Sequence, residues 1–153
     1  MALFLVQHGK SLPKEVDADR SLSEEGKETV TRIAEVAAGY NVFVSMIKHS
    51  GKMRAKQTAD IMASFLKPEM GVQGTGGLDP MDDVAALAGE ITGKEDVMLV
   101  GHLPYMERLV SYLITGSIEI TVFKFQNGGI VCLDRDQERG SWYIKWALMP
   151  EIR

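Results

Sequence analysis

The hydrophobic pattern of this chain combines short apolar runs with longer segments of helical periodicity. Three runs, at residues 3–6, 42–47 and 97–100, have the length and composition of strands that are buried on both faces. Other segments place apolar residues three or four positions apart, as an amphipathic helix does. They predict helices at residues 23–38, 52–67, 82–92 and 104–114.

Capping signals mark the ends of these helices. Ser23 is a suitable N-cap, and two glutamates follow it in the first turn, where the helix dipole favours acidic side chains. Ser21 and Glu24 form a competing capping box. Pro68 closes the second helix, and Pro104 suits the first turn of the fourth.

The last third of the chain changes character. Strands are predicted at residues 119–125, 129–134 and 141–148, with turn sequences between them, and residues 72–78 contain a further short strand candidate. The alternation of strands and helices predicts an α/β protein, a three-layer α/β/α sandwich with a mostly parallel sheet and antiparallel edge strands. The chain is expected to form one domain, residues 1–153.

Composition narrows the class of protein. Of the 153 residues, 45% are hydrophobic and 25% are charged, as in a soluble globular protein. The net charge of −4 argues against nucleic-acid binding, which usually needs a basic face. The first apolar run is too short for a secretory signal, and no stretch reaches the ~20 apolar residues that cross a membrane. The single Cys132 fits a reducing compartment and a small core residue, so we expect a cytoplasmic protein.

Polar side chains follow each of the three apolar runs. His8 follows the first run, Arg54 lies shortly after the second, and His102 follows the third. Because open α/β sheets bind ligands beyond the carboxyl ends of their strands, we expect these side chains to face one crevice. Arg54 falls in the first turn of a predicted helix, where a cation is unfavourable unless it meets a bound anion. Taken singly, His8 is more readily explained as an ordinary polar residue at a strand end.

Four motifs give the chain a resemblance to a known family. They are His8-Gly9, the S-x-x-x-R-A-x-Q-T stretch at residues 50–58, Leu78-Asp79-Pro80 and Gly101-His102-Leu103-Pro104. In this order and spacing they resemble the histidine phosphatase superfamily, and in particular its small phosphohistidine phosphatase (SixA-like) branch. The resemblance covers nearly the whole chain and implies a phosphoglycerate mutase-like fold. One position departs from the pattern, because the family usually has Arg before the first His and this chain has Gln7.

The resemblance implies roles for individual residues. His8 would be the nucleophile and would carry a transient phosphohistidine that water later hydrolyses. Arg54 and His102 would bind the phosphoryl group, and His102, if protonated, would add a second positive charge. The side-chain amide of Gln7 and the backbone N–H of Leu103 would supply further donors.

Other polar residues receive smaller roles. Asp79 is the acid best placed by the L-x-P match to protonate a leaving group, whereas Asp82 and Asp83 are expected to be helix N-terminal acids. His49 is expected in a loop or at the rim of the pocket. No cofactor or metal is implied, and the three histidines lack the close spacing of a zinc site.

Three hypotheses about function remain open. The first is a metal-independent phosphatase for phosphohistidine in proteins, because the chain has no insertion long enough to form a lid over the crevice. Its partner would be a phosphorylated protein, such as a phosphohistidine-containing domain. The second is a phosphomonoesterase for small phosphorylated metabolites. The third is a phosphate-binding domain with weak or no turnover, because Gln7 lacks the charge of the usual Arg.

Overall fold

The computed structural model describes residues 2–152, which contain six strands and four helices. The strands are β1 (Leu3–Gln7), β2 (Met46–His49), β3 (Val72–Gly74), β4 (Val97–Gly101), β5 (Ile130–Arg135) and β6 (Trp142–Leu148). The helices are α1 (Glu24–Gly39), α2 (Met53–Leu66), α3 (Val84–Glu90) and α4 (Tyr105–Thr115). Within residues 2–152, no helix combines the length and the apolar character that a membrane crossing requires.

The strands form one sheet in the order β3-β2-β4-β1-β5-β6. Strands β1 to β4 run parallel, whereas β5 and β6 each run antiparallel to their neighbours. In the middle of the sheet, Leu5 of β1 lies opposite Leu99 of β4 on one side and Val131 of β5 on the other. This mostly parallel sheet with antiparallel strands at one edge confirms the predicted α/β class.

Helices cover both faces of the sheet and complete the three layers. On one face, Val6 of β1 packs in a cluster with Ile33 of α1 and Ala59 of α2. On the other face, Leu5 packs in a second cluster with Leu109 of α4. Side chains alternate between the two faces of a strand. Strand β1 is therefore buried on both sides, as its continuous apolar run predicts, and each buried aliphatic side chain contributes about 1.5–3 kcal/mol.

Cys132 of β5 lies in the core cluster on the α1 and α2 side, as predicted, and only 1% of its surface is exposed. Burial raises the pKa of its thiol to about 11. The thiol is therefore uncharged at neutral pH, and it behaves as a small apolar side chain.

The predicted strand at residues 119–125 is wrong. This segment is irregular and pairs with no strand of the described chain. The rings of Phe123 and Phe125 pack edge-to-face with centroids 5.6 Å apart, and the N–H of Phe125 donates to the Glu107 carboxylate of α4 (3.0 Å). These contacts hold the segment against α4, and the positions on both sides of the following strand β5 are occupied by β1 and β6.

Strand β2 and helix α3 are shorter than predicted. Strand β2 starts at Met46, and the N–H of Ser45 just before it donates to the carbonyl of Asp96, just before β4 (2.7 Å). Helix α3 starts only at Val84, because the Asp83 carboxylate caps it by accepting a backbone N–H of its first turn. The start of α3 thus depends on a side-chain bond that the local hydrophobic pattern does not contain.

The start of α1 packs against the segment that follows β1. Ser23 is the N-cap, as predicted: its hydroxyl accepts from the N–H of Gly26 (3.0 Å), and its own N–H donates to the carbonyl of Lys10 (3.0 Å). Ser21 of the competing capping box instead donates to the carboxylate of Asp17. A Cβ on Gly26 would collide with the carbonyl oxygen of Lys10. Helix α1 thus approaches the residues after His8 so closely that only glycine fits.

We expect Gly26→Ala to lower the free energy of unfolding by about 1–3 kcal/mol, the usual cost of overpacking. Urea unfolding of the purified protein measures this change. The matched control is Gly39→Ala in the same helix, where an added Cβ meets nothing within 4 Å. Because alanine favours a helix over glycine by up to ~1 kcal/mol, the control should be neutral or slightly stabilising. Equal stability of the two variants would contradict the described packing.

Candidate active site

The carboxyl ends of β1, β2 and β4 bring the predicted site residues together. The rings of His8, after β1, and His102, after β4, have centroids 5.0 Å apart. Ser50, after β2, places its hydroxyl oxygen 2.6 Å from Nε2 of His102. Arg54, in the first turn of α2, lies near enough to both rings for its charge to lower their pKa values. The structure therefore places His8, Arg54 and His102 in one crevice.

His8 is held by hydrogen bonds on its ring and its backbone. Its Nδ1 lies 2.7 Å from the carbonyl oxygen of Gly9, which can only accept, so Nδ1 carries the proton and Nε2 keeps a lone pair. Its backbone N–H donates to the carbonyl of Gly101 (3.0 Å), and its carbonyl accepts from the side-chain amide of Asn127 (3.0 Å). Burial, with a smaller effect of Arg54, lowers the pKa of His8 to about 4. His8 is therefore a neutral imidazole at physiological pH.

His102 is almost completely enclosed, with 2% of its surface exposed. Burial, followed by the electrostatic effects of His8 and Arg54, lowers its pKa to about 3. The second positive charge considered for His102 is therefore not present in the ligand-free protein at neutral pH. Its Nδ1 is buried and has no hydrogen-bond partner in the described part of the chain. Leu103 follows directly and precedes Pro104, the N-cap of α4, so its backbone N–H lies at the same end of the sheet.

Thr58 links Arg54 to the end of β1. Its buried hydroxyl donates to the carbonyl of Arg54 (2.8 Å) and accepts from the N–H of Gly9 (2.9 Å). The S-x-x-x-R-A-x-Q-T stretch thus joins the first turn of α2 to the turn after His8. Burial lowers the pKa of Arg54, but a guanidinium stays protonated in proteins, so this side chain brings a fixed positive charge.

Several polar atoms of the crevice are buried without partners. Among residues 2–152, the buried side-chain nitrogen and oxygen atoms that make no hydrogen bond are Gln7 Oε1, Arg54 Nε, His102 Nδ1 and Tyr105 Oη. All but the tyrosine belong to residues that the sequence assigns to phosphate binding. A buried polar atom without a partner costs about 1–3 kcal/mol. A bound phosphoryl oxygen would complete the arginine and histidine nitrogens, whereas the amide oxygen of Gln7 is an acceptor and needs a donor instead.

Arg20 is a further cation at the crevice, and the sequence did not indicate it. It lies in the loop between β1 and α1 with a left-handed backbone, φ 51°. Its charge lowers the pKa values of all three side chains that the strand ends bring together. The loop is anchored by Leu22, whose N–H donates to Oε1 of Gln57 in α2 (2.7 Å). Because this bond joins segments that are far apart in sequence, no local sequence pattern predicts the position of Arg20.

Asp79 lies at the rim of the crevice. Its carboxylate is 4.0 Å from Nζ of Lys52, and its side chain is 56% exposed. The negative charge of Asp79 acts to raise the pKa of Arg54, against the effect of burial. Asp79 therefore lies within electrostatic range of the site. Asp82 accepts from the N–H of Asp79 (2.9 Å), and Asp83 caps α3. These two acids therefore stabilise the turn and the helix start, in keeping with their expected role.

The expected loop position of His49 is wrong. His49 is the last residue of β2, and 6% of its surface is exposed. Its Nδ1 accepts from the N–H of Gly51 (3.0 Å), and its ring lies against Gly74 of β3, so it supports the turn that carries Ser50.

Within the described residues, no group of three or more His, Cys, Asp or Glu side chains is arranged to hold a metal ion.

Comparison with solved structures identifies proteins with the same architecture. A protein histidine phosphatase SixA in complex with tungstate matches with a TM-score of 0.85 and 25% identity, over 98% of this chain and 97% of that chain. A candidate SixA phosphohistidine phosphatase from Agrobacterium tumefaciens matches with a TM-score of 0.77 and 24% identity, over 97% of each chain. A mycobacterial glucosyl-3-phosphoglycerate phosphatase in complex with VO3 matches with a TM-score of 0.76 and 16% identity, over 97% of this chain and 99% of that chain.

Comparison of the sequence alone is less informative, since no protein-family model and no curated protein matches it. The structural matches extend over nearly the full length of both chains. The match at 25% identity, to a protein histidine phosphatase SixA, supports phosphatase activity for this chain, and the other two show the shared fold. Its structural neighbours are SixA phosphohistidine phosphatases and related members of the histidine phosphatase superfamily, whose phosphoglycerate mutase-like fold it shares, and the resemblance inferred from the sequence is thereby confirmed.

Proposed function

We propose that this protein is a metal-independent phosphatase in which His8 attacks the phosphoryl group and carries it as a transient phosphohistidine. The observation that carries this proposal is the fixed state of His8. Its Nδ1–H donates to the carbonyl of Gly9, so Nε2 offers a lone pair in a crevice where Nε of Arg54 and Nδ1 of His102 are buried without partners among residues 2–152. With a pKa of about 4, this imidazole stays neutral and nucleophilic across the physiological pH range.

The reaction would proceed in two steps. In the first, Nε2 of His8 forms a bond to phosphorus while the bond from phosphorus to the leaving group of the substrate breaks. In the second, water attacks phosphorus, inorganic phosphate leaves, and His8 returns to a neutral imidazole. Arg54 would bind two phosphoryl oxygens with its planar fork, and Gln7, His102 and the N–H of Leu103 would hold the group in place.

A phosphohistidine presented by another protein is the substrate that we favour. Its imidazole leaves readily once protonated, so a dedicated acid matters less than for a phosphate ester, and the exposed Asp79 serves as the candidate proton donor. Met53, next to Arg54, and Met81, two residues after Asp79, expose 40% and 70% of their surfaces. Exposed methionines are typical of surfaces that contact another protein.

A phosphate-binding domain with little turnover is the second candidate, and Gln7 is the observation that favours it. A neutral amide in place of Arg removes one fixed charge, and loss of one such donor typically slows a reaction about 10²–10³-fold. A turnover assay with a phosphohistidine protein and a panel of phosphomonoesters separates the hypotheses. Measurable phosphate binding without turnover of any substrate would favour the binding domain.

His8→Ala is expected to abolish turnover, because it removes the atom that bonds to phosphorus, while the fold is retained. After rapid quenching, the wild-type protein should carry an acid-labile, base-stable phosphate on His8. Mass spectrometry of the quenched protein locates the phosphate, and circular dichroism verifies folding of the variant. Full activity of His8→Ala, or phosphate on Asp79 or His49, would exclude His8 as the nucleophile.

Inorganic phosphate should raise the melting temperature of the protein, because a ligand of the native state opposes unfolding by mass action. Arg54→Ala should weaken phosphate binding at least tenfold, since a charge-assisted hydrogen bond contributes about 1.5–3 kcal/mol. The matched control is Lys56→Ala in the same helix, where the ammonium is exposed and pairs with Asp60 (2.8 Å). Equal phosphate affinity of wild type and Arg54→Ala would show that phosphate binds elsewhere.

Gln7→Arg is expected to raise kcat, because a fixed cation beside His8 stabilises the charge that develops on phosphoryl oxygens in the transition state. Gln7→Met, of similar length but without hydrogen-bonding groups, should lower it. The rate constants are compared at saturating substrate. An unchanged or lower rate in a folded Gln7→Arg variant would mean that Gln7 is adapted to a different ligand or that its neighbours exclude the longer side chain, and a crystal structure with phosphate would separate these two explanations.

A further inference from the structure

Ser50 is connected to His102 and to the start of α2 through one hydroxyl group. Its oxygen lies 2.6 Å from Nε2 of His102, and it also accepts a long hydrogen bond from the backbone N–H of Lys52 (3.4 Å). Since Nε2 is engaged by Ser50, Nδ1 is the ring nitrogen of His102 that is left for a ligand. That atom is buried and has no partner among residues 2–152.

The position of one hydrogen atom decides what His102 can do. A serine hydroxyl has one proton to donate and two lone pairs that accept. If the hydroxyl donates to Nε2, the neutral ring carries its own proton on Nδ1 and can donate to a phosphoryl oxygen. If Nε2 carries the proton and donates to the hydroxyl, Nδ1 presents a lone pair, which repels a phosphoryl oxygen. The other partner of the hydroxyl, the N–H of Lys52, is a donor, so among residues 2–152 only Nε2 is placed to accept the hydroxyl proton, which favours the first arrangement.

We propose that Ser50 is a positioning residue whose hydroxyl donates to Nε2 of His102 and holds the ring in the Nδ1–H tautomer, so that neutral His102 donates to bound phosphate. This inference rests on the proposed use of the crevice as a phosphate site. The environment of His102 agrees with a neutral donor, because the ring is 2% exposed and Arg54 already places a positive charge beside it. Burying a second cation there would be costly.

Nuclear magnetic resonance of protein labelled with ¹⁵N-histidine tests the tautomer directly. The His102 signals are assigned by their loss in His102→Gln. We expect Nδ1 protonated and Nε2 unprotonated, both in the ligand-free protein and with inorganic phosphate. A proton on Nε2, whether alone or together with one on Nδ1, would overturn the proposal. The free protein suffices for this measurement, so the result does not depend on turnover.

Ser50→Ala should lower kcat/KM roughly tenfold at pH 8, about the effect of one hydrogen bond to the ligand. Ser50→Thr keeps a hydroxyl and should restore most of the loss. The matched control is Ser64→Ala, which removes an exposed hydroxyl near the end of α2 that bonds only locally to the carbonyl of Ile61 (2.7 Å). It should match wild type.

The tautomer of His102 in Ser50→Ala distinguishes tautomer control from simple packing. A protonated His102 carries hydrogen on both nitrogens, so it would donate from Nδ1 even without Ser50. With a pKa of about 3, this form stays scarce from pH 8 to pH 5, so the defect of Ser50→Ala should be nearly constant over this range. His8, with a pKa of about 4, is also mostly neutral there. An unchanged His102 tautomer in Ser50→Ala would overturn the proposal.

The two proposals can fail separately. If the protein binds phosphate with the expected His102 tautomer but hydrolyses no substrate, the proposed phosphatase activity fails and the role of Ser50 stands. If turnover proceeds through His8 while Nε2 of His102 is protonated, the activity stands and the role of Ser50 is wrong.

Discussion

The geometry of the crevice depends on one buried hydroxyl, that of Thr58. It accepts from the backbone N–H of Gly9 and donates to the carbonyl of Arg54, which fixes the turn after β1 against the first turn of α2. A hydroxyl can make both bonds at once, whereas an apolar side chain of similar shape would leave two backbone groups unpaired. Two residues that are far apart in sequence are therefore placed side by side before any ligand arrives.

Removal from water, more than charge pairing, sets the protonation states at this site. Burial is the largest cause of the low pKa values of both His8 and His102, and Arg54 adds to it. Both rings are thus neutral beside two arginines, and the ligand-free crevice has an excess of positive charge. The folded state binds these two protons less readily than the unfolded chain. The free energy of unfolding therefore decreases as the pH falls below about 6.5, where the unfolded chain takes up protons that the folded state does not yet bind.

The sequence predicted the parts of this arrangement that depend on local pattern. Apolar runs placed β1 and β4, and the polar residues directly after them, His8 and His102, meet because parallel strands end at one edge of the sheet. Arg20 was missed, because its position comes from a left-handed backbone and a loop anchored by Gln57. Residues 119–125 have the composition of a strand, but the segment instead bonds to Glu107 of α4, and composition does not encode such tertiary contacts.

The proposed role of Ser50 shows that individual hydrogen bonds, too, cannot be predicted from the sequence pattern. The motif at residues 50–58 included this serine, yet its proximity to His102 results from the order of β2 and β4 in the sheet. A sequence pattern indicates which residues act together but not which of their atoms are in contact. Whether Nδ1 of His102 donates to a phosphoryl oxygen or repels it depends on hydrogen-bond direction, which can be inferred only when the neighbours of each oxygen are known.

The enclosed position of Cys132 makes its chemical modification a measure of core opening. The thiol lies on the face of β5 that is covered by α1 and α2, and its high pKa keeps the reactive thiolate scarce at neutral pH. Alkylation therefore requires an opening of the core on this face of the sheet. Because the chain has a single cysteine, the rate of its modification reports on that opening without interference from other thiols.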